Sequence, residues 1–239
     1  SGLSSGNNLI QWSVSNGVCA PNSSSVIIQV DLTPGVAAAG SNQTLCISSP
    51  SIVLSGNTPT AGAGSWSVSS GSGVFTNSTS ASATLTNLGL GLNTLQWTLT
   101  NGACSNSSSV TILVDDLADN PVAGPNQSLC ISSPTTILAA NTPSGTSVGV
   151  WSVISGTAVI TNSALATSTL TGLVSGTNAL QWLVSNGVCP VKTSTVLIIV
   201  DDLPSVAIAG ANQTICAGST TLSATVPTLG TGMWQVITG

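Results

Sequence analysis

The sequence contains no histidine and no tyrosine, and Lys192 is its single basic residue. Histidine is the commonest general acid–base catalyst and the usual activator of nucleophilic side chains. The six acidic residues are all aspartates, and the adjacent pair Asp115 and Asp116 would point to opposite faces of a strand. These absences predict that the chain is not an enzyme, and we identify no catalytic residue. One lysine also excludes Lys–Asn cross-links repeated along the chain.

Charge is almost absent as well, since only 3% of the residues are charged and the net charge is −5. Phosphate backbones are bound through clusters of basic residues, so nucleic acid is excluded as a partner. No run approaches the roughly 20 apolar residues of a membrane helix, and we expect no membrane insertion in this sequence. Ser, Thr, Asn, Gln and Gly must therefore supply the polar surface, and this composition favours strands and turns over helices.

One ten-residue stretch occurs three times, at residues 10–19, 95–104 and 180–189. The repeat interval from Trp12 to Trp97 and from Trp97 to Trp182 is 85 residues. In the middle copy Leu95, Trp97 and Leu99 alternate with polar residues, which predicts a half-buried strand. The following Asn-Gly pair tolerates positive φ and predicts a tight hairpin turn, with a cysteine just beyond it. The chain is therefore a tandem array.

The 85-residue interval predicts four segments. Residues 1–31 are expected to be the C-terminal part of a repeat, 32–116 and 117–202 two complete repeats, and 203–239 the N-terminal part of another. This division leads us to expect either a window cut from a longer repeat protein or a subunit whose incomplete terminal repeats complement each other between neighbours. In the first complete repeat the apolar runs and turn residues predict seven short strands, at residues 41–46, 52–54, 65–68, 73–76, 83–88, 95–100 and 109–114.

Seven short strands without helical periodicity predict an all-β fold of tandem immunoglobulin-like antiparallel β-sandwiches. Two tryptophans per repeat are expected to face each other from opposite sheets in the core, and this prediction covers Trp12, Trp66, Trp97, Trp151, Trp182 and Trp234. The alternative role, stacking on glycans, requires exposed aromatic rings. The tryptophans lie instead on the apolar face of alternating strands, and Phe75 is the only other aromatic residue.

Cysteines recur at two positions of the repeat, early at Cys46, Cys130 and Cys216 and late at Cys19, Cys104 and Cys189. Such regularity predicts disulfides and an oxidising, extracellular setting. Pairing within a repeat would join Cys46 with Cys104 and Cys130 with Cys189, and would leave Cys19 and Cys216 to partners outside the sequence. Pairing across junctions would join Cys19 with Cys46, Cys104 with Cys130 and Cys189 with Cys216. We favour the first scheme; zinc is excluded because the sequence has no Cys-x-x-Cys and no histidine.

The aspartates all follow the last strand of a repeat. Asp115, Asp116, Asp119, Asp201 and Asp202 are candidate Ca²⁺ ligands at the repeat junctions, because calcium takes 6–8 oxygen ligands. The alternative is that they are solvated linker residues, and the isolated Asp31 favours it. No other cofactor is expected. The Asn-x-Ser/Thr sequon recurs at equivalent positions of the repeat, and the candidate glycosylation sites are Asn22, Asn42, Asn106, Asn126 and Asn212.

The recurring Ala-Gly-x-Asn-Gln-(Ser/Thr)-(Leu/Ile)-Cys, Trp-Ser-Val, Gln-Trp and Asn-Gly-x-Cys motifs resemble the PKD-like and Ig-like tandem repeats of giant Bacteroidota surface proteins, such as SprB-type gliding adhesins. The likeness extends over the whole chain. It implies secretion through a type IX system and display on the bacterial cell surface as a long fibre that serves gliding motility. The Trp-Asp-Phe-Gly-Asp motif of true PKD domains is absent.

Together these features predict a structural extracellular repeat array that forms the stalk or filament of a bacterial cell-surface adhesin. Its partners would be adjacent repeats of the same protein, with a homo-oligomeric filament and surface glycans or a substratum as further candidates. One alternative is a carbohydrate-binding surface module. The other is a filament subunit whose incomplete terminal repeats join between neighbours.

Overall fold

The computed structural model describes residues 2–216 and 218–238 and is all-β, as predicted. Among these residues there is no helix of the length and apolarity needed to span a membrane. Sixteen strands are formed: β1 Gly6–Val14, β2 Asn22–Val30, β3 Gln43–Cys46, β4 Ile52–Val53, β5 Ala63–Ser70, β6 Val74–Phe75, β7 Thr84–Thr86, β8 Gly91–Asn101, β9 Cys104–Asp115, β10 Gln127–Cys130, β11 Thr136–Ile137, β12 Val148–Ser155, β13 Val159–Ile160, β14 Thr169–Thr171, β15 Gly176–Ser185 and β16 Lys192–Asp201.

The chain divides into two compact units. The first comprises Ser1–Leu117 together with Asn186–Pro190, and the second comprises Ala118–Ser185 together with Val191–Gly239. The short segment Asn186–Pro190 is the turn between β15 and β16, so this turn belongs to the first unit although its strands belong to the second. The division into four segments made from the sequence stays a prediction.

The first unit contains a β-sandwich of the predicted seven strands. One sheet has the order β3-β9-β8-β5 and the other β4-β7-β6. Its core is formed by alternating residues of the long strands, with Leu95, Leu99 and Ile112 fully buried. One pairing differs from the antiparallel expectation, because β3 runs parallel to β9. Parallel strands need a long crossover, and here nearly the whole repeat separates the two strands and supplies one.

The second unit repeats this sandwich with the sheets β10-β16-β15-β12 and β11-β14-β13. Its first strand is again parallel to its last. The predicted fold class, tandem immunoglobulin-like sandwiches, is therefore confirmed for both complete copies. Residues 203–216 and 218–238 form no strand, and β1 and β2 form a hairpin by themselves.

The tryptophan pairs lie in the cores of the two sandwiches, but not where we expected them. Trp66 and Trp97 are directly opposed on the neighbouring strands β5 and β8, with ring centroids 5.0 Å apart. Trp151 and Trp182 repeat this arrangement at 5.1 Å. The two rings of a pair therefore project from one sheet rather than from opposite sheets. Cross-strand aromatic pairs of this kind stabilise a sheet in addition to the apolar area that they bury.

Two of the six tryptophans are not core residues in this structure, contrary to the prediction. Trp12 is 74% exposed and Trp234 is 52% exposed, whereas the other four are at most 4% exposed. Trp12 lies on the β1–β2 hairpin, on which no second sheet of the described residues packs. Trp234 lies in a segment without strands. Both side chains therefore lack the opposing layer that seals the other four.

The hairpin turn after β8 also differs in detail. Asn101 is the last residue of β8 and pairs with Cys104, so Gly102 and Ala103 form the turn. Gly102 has φ +56°, and Asn87 is the one described non-glycine residue with positive φ. The positive φ that we assigned to the Asn-Gly pair is therefore adopted by the glycine alone, as in a type II′ turn.

Candidate functional site at the hairpin tips

Within the described part of the chain one disulfide is formed, and it joins Cys46 to Cys189. The two Cα atoms are 4.8 Å apart, within the usual range for a disulfide, and 143 residues separate the two cysteines in sequence. Both sequence-based schemes are therefore wrong: Cys46 pairs neither with Cys104 nor with Cys19, and Cys189 pairs neither with Cys130 nor with Cys216. The bond links the early cysteine of one repeat copy to the late cysteine of the next.

The early cysteine lies at the end of β3, on the edge of its sheet. Parallel pairing places Cys46 opposite Asp115, the last residue of β9. The Ile47 amide donates to the Asp115 carbonyl at 2.9 Å, and the Ser48 hydroxyl donates to the Cys46 Sγ at 3.2 Å. The Ser49 amide closes a turn on the Cys46 carbonyl at 2.9 Å. We call Cys46 and Asp115, with the turn 47–49, the first acceptor.

The late cysteine lies in the turn between β15 and β16. Residues 186–189, which we call the docked tip, read Asn-Gly-Val-Cys, and the Cys189 amide donates to the Asn186 carbonyl at 3.0 Å. Gly187 has φ +50°, which an L-residue with a Cβ rarely adopts. Asn186 and Cys189 are buried, at 5% and 4% exposure.

A carboxylate binds the docked tip beside the disulfide. Asp115 Oδ2 accepts a hydrogen bond of 2.9 Å from the Val188 amide. The Cys189 Sγ lies 3.4 Å from the Asp115 carbonyl oxygen, and this is a van der Waals contact because a disulfide sulfur carries no proton. A Cβ added at Gly187 would overlap the Asp115 carboxylate, so only glycine permits this approach. Charge-assisted hydrogen bonds of this kind are about twice as strong as neutral ones.

The same contact occurs one repeat earlier. Asp31, which follows β2, accepts a hydrogen bond of 2.7 Å from the Ala103 amide in the turn between β8 and β9. The Asn101 side chain donates to the Leu32 carbonyl at 2.9 Å, and the Cys104 thiol lies 3.7 Å from the Asp31 carbonyl. A Cβ at Gly102 would overlap the Asp31 carboxylate. The contact therefore occurs twice in the chain. Each time, the aspartate at the end of the last strand of one repeat binds the Asn-Gly-x-Cys turn of the following repeat.

This contact explains why an aspartate, an Asn-Gly turn and a late cysteine recur together in the repeat. No three His, Cys, Asp or Glu side chains come together among the described residues, and calcium at the repeat junctions stays a prediction. Asp116 accepts a hydrogen bond from the adjacent Leu117 amide at 2.7 Å. Asp119 accepts from the amide and the hydroxyl of Ser144 at 2.5 and 2.8 Å. These bonds from Ser144, with a smaller contribution from the charge of Lys192, hold the pKa of the Asp119 carboxyl below its ordinary value of 3.8.

The candidate glycosylation residues Asn42, Asn106 and Asn126 use their side-chain oxygens within the fold. They accept hydrogen bonds from the amides of Thr111 at 2.9 Å, Ala37 at 2.7 Å and Leu197 at 2.9 Å, respectively. The five candidate asparagines, including Asn22 and Asn212, are exposed. Glycosylation at these positions stays a prediction.

Sequence reasoning missed another repeated residue, an asparagine that lies four positions before Trp97 and again four positions before Trp182. Asn93 and Asn178 are buried at 1% exposure, and the side-chain amide of each forms hydrogen bonds with the backbone of its own sandwich. Asn178 accepts from the Thr157 amide at 2.9 Å and donates to the Val174 carbonyl at 3.1 Å. The sequence did mark this residue as part of the repeat, because Asn8, Asn93 and Asn178 are spaced by the same 85-residue interval.

Comparison with known proteins adds little to this site. No protein-family model matches the chain, and no curated protein matches it. A three-domain immunoglobulin segment of titin, in an E-to-A mutated variant, has a TM-score of 0.46 at 14% identity over 70% of this chain. This chain spans 65% of the length of that titin segment.

Two further solved structures are similar. The extracellular domains 3–5 of Drosophila OTK have a TM-score of 0.45 at 14% identity, and the match covers 81% of this chain and 71% of that one. The PKD domain from KIAA 1837 protein has a TM-score of 0.30 at 26% identity, over 36% of this chain and 85% of that one. TM-scores below 0.5 are too low to transfer function, so the sandwich assignment rests on the strands and sheets themselves.

Proposed function

We propose that this chain is a structural segment of an extracellular repeat array that forms the stalk or filament of a bacterial cell-surface adhesin. The observation that carries the proposal is the disulfide between Cys46 and Cys189. It gives two consecutive copies of the repeat a second covalent connection besides the polypeptide at residues 116–118. A binding module has no need of such a connection, whereas a segment that transmits tension benefits from it.

The position of the disulfide determines which parts of the chain are exposed to tension. A pull on the two chain ends passes from Cys46 directly to Cys189, so strands β4 to β15 lie inside the closed loop. Tension reaches these strands only if the disulfide is broken. A structural disulfide resists extension and is not broken by partial unfolding. Most of both sandwiches is therefore protected from tension, whereas β1, β2, β3 and β16 are exposed to it.

An extracellular location is supported by the disulfide itself, since such bonds persist in oxidising compartments. The near absence of charge supports a surface array whose contacts change little with ionic strength. Stability that adds up repeat by repeat suits a long array. The finer assignment, a SprB-type gliding adhesin secreted by a type IX system, rests on the resemblance of the repeat motifs and is part of this proposal.

The carbohydrate-binding alternative has two exposed rings in its favour, those of Trp12 and Trp234, but neither complete copy of the repeat presents such a ring. Four of the six tryptophans are sealed in sandwich cores and therefore offer no ring to a glycan. We propose no second function.

Force spectroscopy on the chain held at its two ends tests the mechanical role. In the oxidised protein the chain between the cysteines, which are 143 positions apart, stays unextended, so the final contour length should be shorter by about 480 Å than after reduction. The double variant Cys46→Ser/Cys189→Ser is the matched control and should give the long contour length without reductant. Equal contour lengths before and after reduction would contradict the proposal.

A second experiment tests the covalent connection without force. A protease site inserted after the exposed residue Asp116 allows the polypeptide to be cut at the junction. After cleavage the two fragments should stay together on a non-reducing gel and separate on a reducing gel. Immunogold electron microscopy of the source cells, with antibodies against the chain, then tests the location: label along thin surface fibres is expected, and label confined to the cell interior would exclude a surface stalk.

A further inference from the structure

The second sandwich carries a copy of the first acceptor. Residues 46–50 and 130–134 both read Cys-Ile-Ser-Ser-Pro. Parallel pairing places Cys130 opposite Asp201, as it places Cys46 opposite Asp115. We call Cys130 and Asp201, with the turn 131–133, the second acceptor.

The local hydrogen bonds of the two acceptors agree as well. The Ile131 amide donates to the Asp201 carbonyl at 2.9 Å, and the Ser133 amide donates to the Cys130 carbonyl at 2.9 Å. The Ser132 hydroxyl donates to the Cys130 Sγ at 3.1 Å. Every backbone and hydroxyl contact of the first acceptor is therefore present in the second, and the strands that hold it need not rearrange.

The acceptors differ in what covers them. Cys46 and Asp115 are half-buried and bind the docked tip, whereas Cys130 is an exposed thiol and Asp201 an exposed carboxylate. The second acceptor is thus a formed site with its reactive group accessible. The first acceptor shows which partner this arrangement binds, namely an Asn-Gly-x-Cys turn that supplies one donating amide and one cysteine.

The chain also presents an accessible tip of the right sequence. Residues 14–19 of the β1–β2 hairpin read Val-Ser-Asn-Gly-Val-Cys, identical to residues 184–189. The Cys19 amide donates to the Asn16 carbonyl at 3.1 Å, and Gly17 has φ +55°, so the turn already has the conformation of the docked tip. Cys19 is exposed and unpaired, while its counterpart Cys189 is buried in the disulfide. We call residues 16–19 the accessible tip.

We propose that the second acceptor binds the accessible tip of a second copy of this chain, with the Val18 amide on the Asp201 carboxylate and a disulfide between Cys130 and Cys19 of the two copies. Repetition of this contact joins chains head to tail through the same bond that joins consecutive repeat copies within a chain. The inference goes beyond the proposed stalk role, because it names the partner and the residues that recruit it.

The thiol of the second acceptor is suited to this reaction. Hydrogen bonds from the hydroxyl and the amide of Ser132 lower the pKa of Cys130 from its ordinary value of 9.0, while desolvation and the charge of Asp201 raise it to a lesser degree. The oxidant is a low-molecular-weight disulfide such as glutathione disulfide. The Cys130 thiolate attacks it and releases one glutathione thiol; Cys19 of the other copy then attacks the mixed disulfide at the Cys130 sulfur and releases the second. Both thiol protons end on glutathione, so atoms and electrons balance.

The test uses two variants of the full chain, both carrying Cys104→Ser and Cys216→Ser. One also carries Cys19→Ser and keeps the acceptor; the other also carries Cys130→Ser and keeps the tip. Each alone lacks one partner, so a covalent dimer should form only when the two are mixed in a glutathione redox buffer. Mass spectrometry of the unreduced peptides should find Cys130 joined to Cys19, and tryptophan fluorescence and the Cys46 to Cys189 linkage check that both variants are folded.

The substitution Asp201→Asn in the acceptor variant separates docking from unspecific thiol oxidation. Loss of the charge-assisted hydrogen bond should slow dimer formation about tenfold. Removal of the negative charge should at the same time leave alkylation of Cys130 by iodoacetamide unchanged or faster, because Asp201 opposes thiolate formation. Slower dimerisation with undiminished alkylation supports the proposal. Dimers of the acceptor variant alone, glutathione adducts without heterodimer, or an unchanged dimerisation rate would each overturn it.

Discussion

Removal of the disulfide between Cys46 and Cys189 should destabilise both repeat copies, and the size of the effect follows from the loop that it closes. The separation is 143 residues, for which the chain-entropy model gives about 5 kcal/mol when the whole loop unfolds. If one sandwich unfolds while the other stays folded, the flexible part of the loop is about half as long. The logarithmic dependence on loop length then still gives about 4 kcal/mol.

The assay is urea denaturation of the double variant Cys46→Ser/Cys189→Ser, followed by the fluorescence of the four buried tryptophans. With a slope of about 2 kcal/mol per molar urea, a loss of 4 kcal/mol lowers the transition midpoint by about 2 M. The single variant Cys104→Ser is the control, because Cys104 is half-buried and unpaired, and its midpoint should change little. A double variant whose midpoint equals that of the unchanged chain would refute the loop-entropy reasoning.

Hydrogen bonds lower the pKa of Asp119 in the folded state, so its ionised form stabilises the fold. The wild-type chain should therefore lose stability as the pH falls from the ordinary aspartate pKa of 3.8 through the lower folded-state pKa of Asp119. Melting temperatures of Asp119→Asn, measured against pH, should lack this contribution to the loss of stability in acid. Trp97→Phe should cost at least about 1 kcal/mol more than Trp182→Phe in calorimetry, since the Trp97 Nε1 donates to a carbonyl at 3.1 Å whereas the Trp182 Nε1 is buried without a partner. Asn178→Ala removes the hydrogen bonds that the buried Asn178 side chain makes with the Thr157 amide and the Val174 carbonyl, and it should cost about 2 kcal/mol. Equal melting temperatures for this variant and for Asn8→Ala, at a half-buried position of the exposed β1–β2 hairpin, would contradict that role.

The repeat interval and the strand content could be predicted from the sequence because both are local properties. Alternation of Leu95, Trp97 and Leu99 marks a strand with one buried face whatever packs on it. The burial of Trp97 and Trp182 followed from the same pattern, and it failed for Trp12 because periodicity shows which face is apolar but not whether anything covers it. The parallel pairing of β3 with β9 was equally out of reach, since register between distant strands depends on the route of the chain between them.

The candidate site was predicted only in its components. The Asn-Gly-x-Cys turns, the early cysteines and the aspartates that follow the last strands were all recognised as recurring features. Their assembly was missed, because spacing within one repeat suggests partners within that repeat. The isolated Asp31 was the useful signal: a single carboxylate is too little for calcium, yet it is sufficient to bind the amide of Ala103.

The sequence by itself determined the repeat, the sandwich strands, the apolar faces and the near absence of charge, because each of these is encoded in residues close together along the chain. The tertiary structure alone decided which cysteines meet. Cys46 is 143 residues from Cys189, and they approach each other because the Asp115 carboxylate binds a glycine-containing turn that has room for it. Such a contact depends on the ends of two separate hairpins and strands coming together in space, which no local pattern specifies.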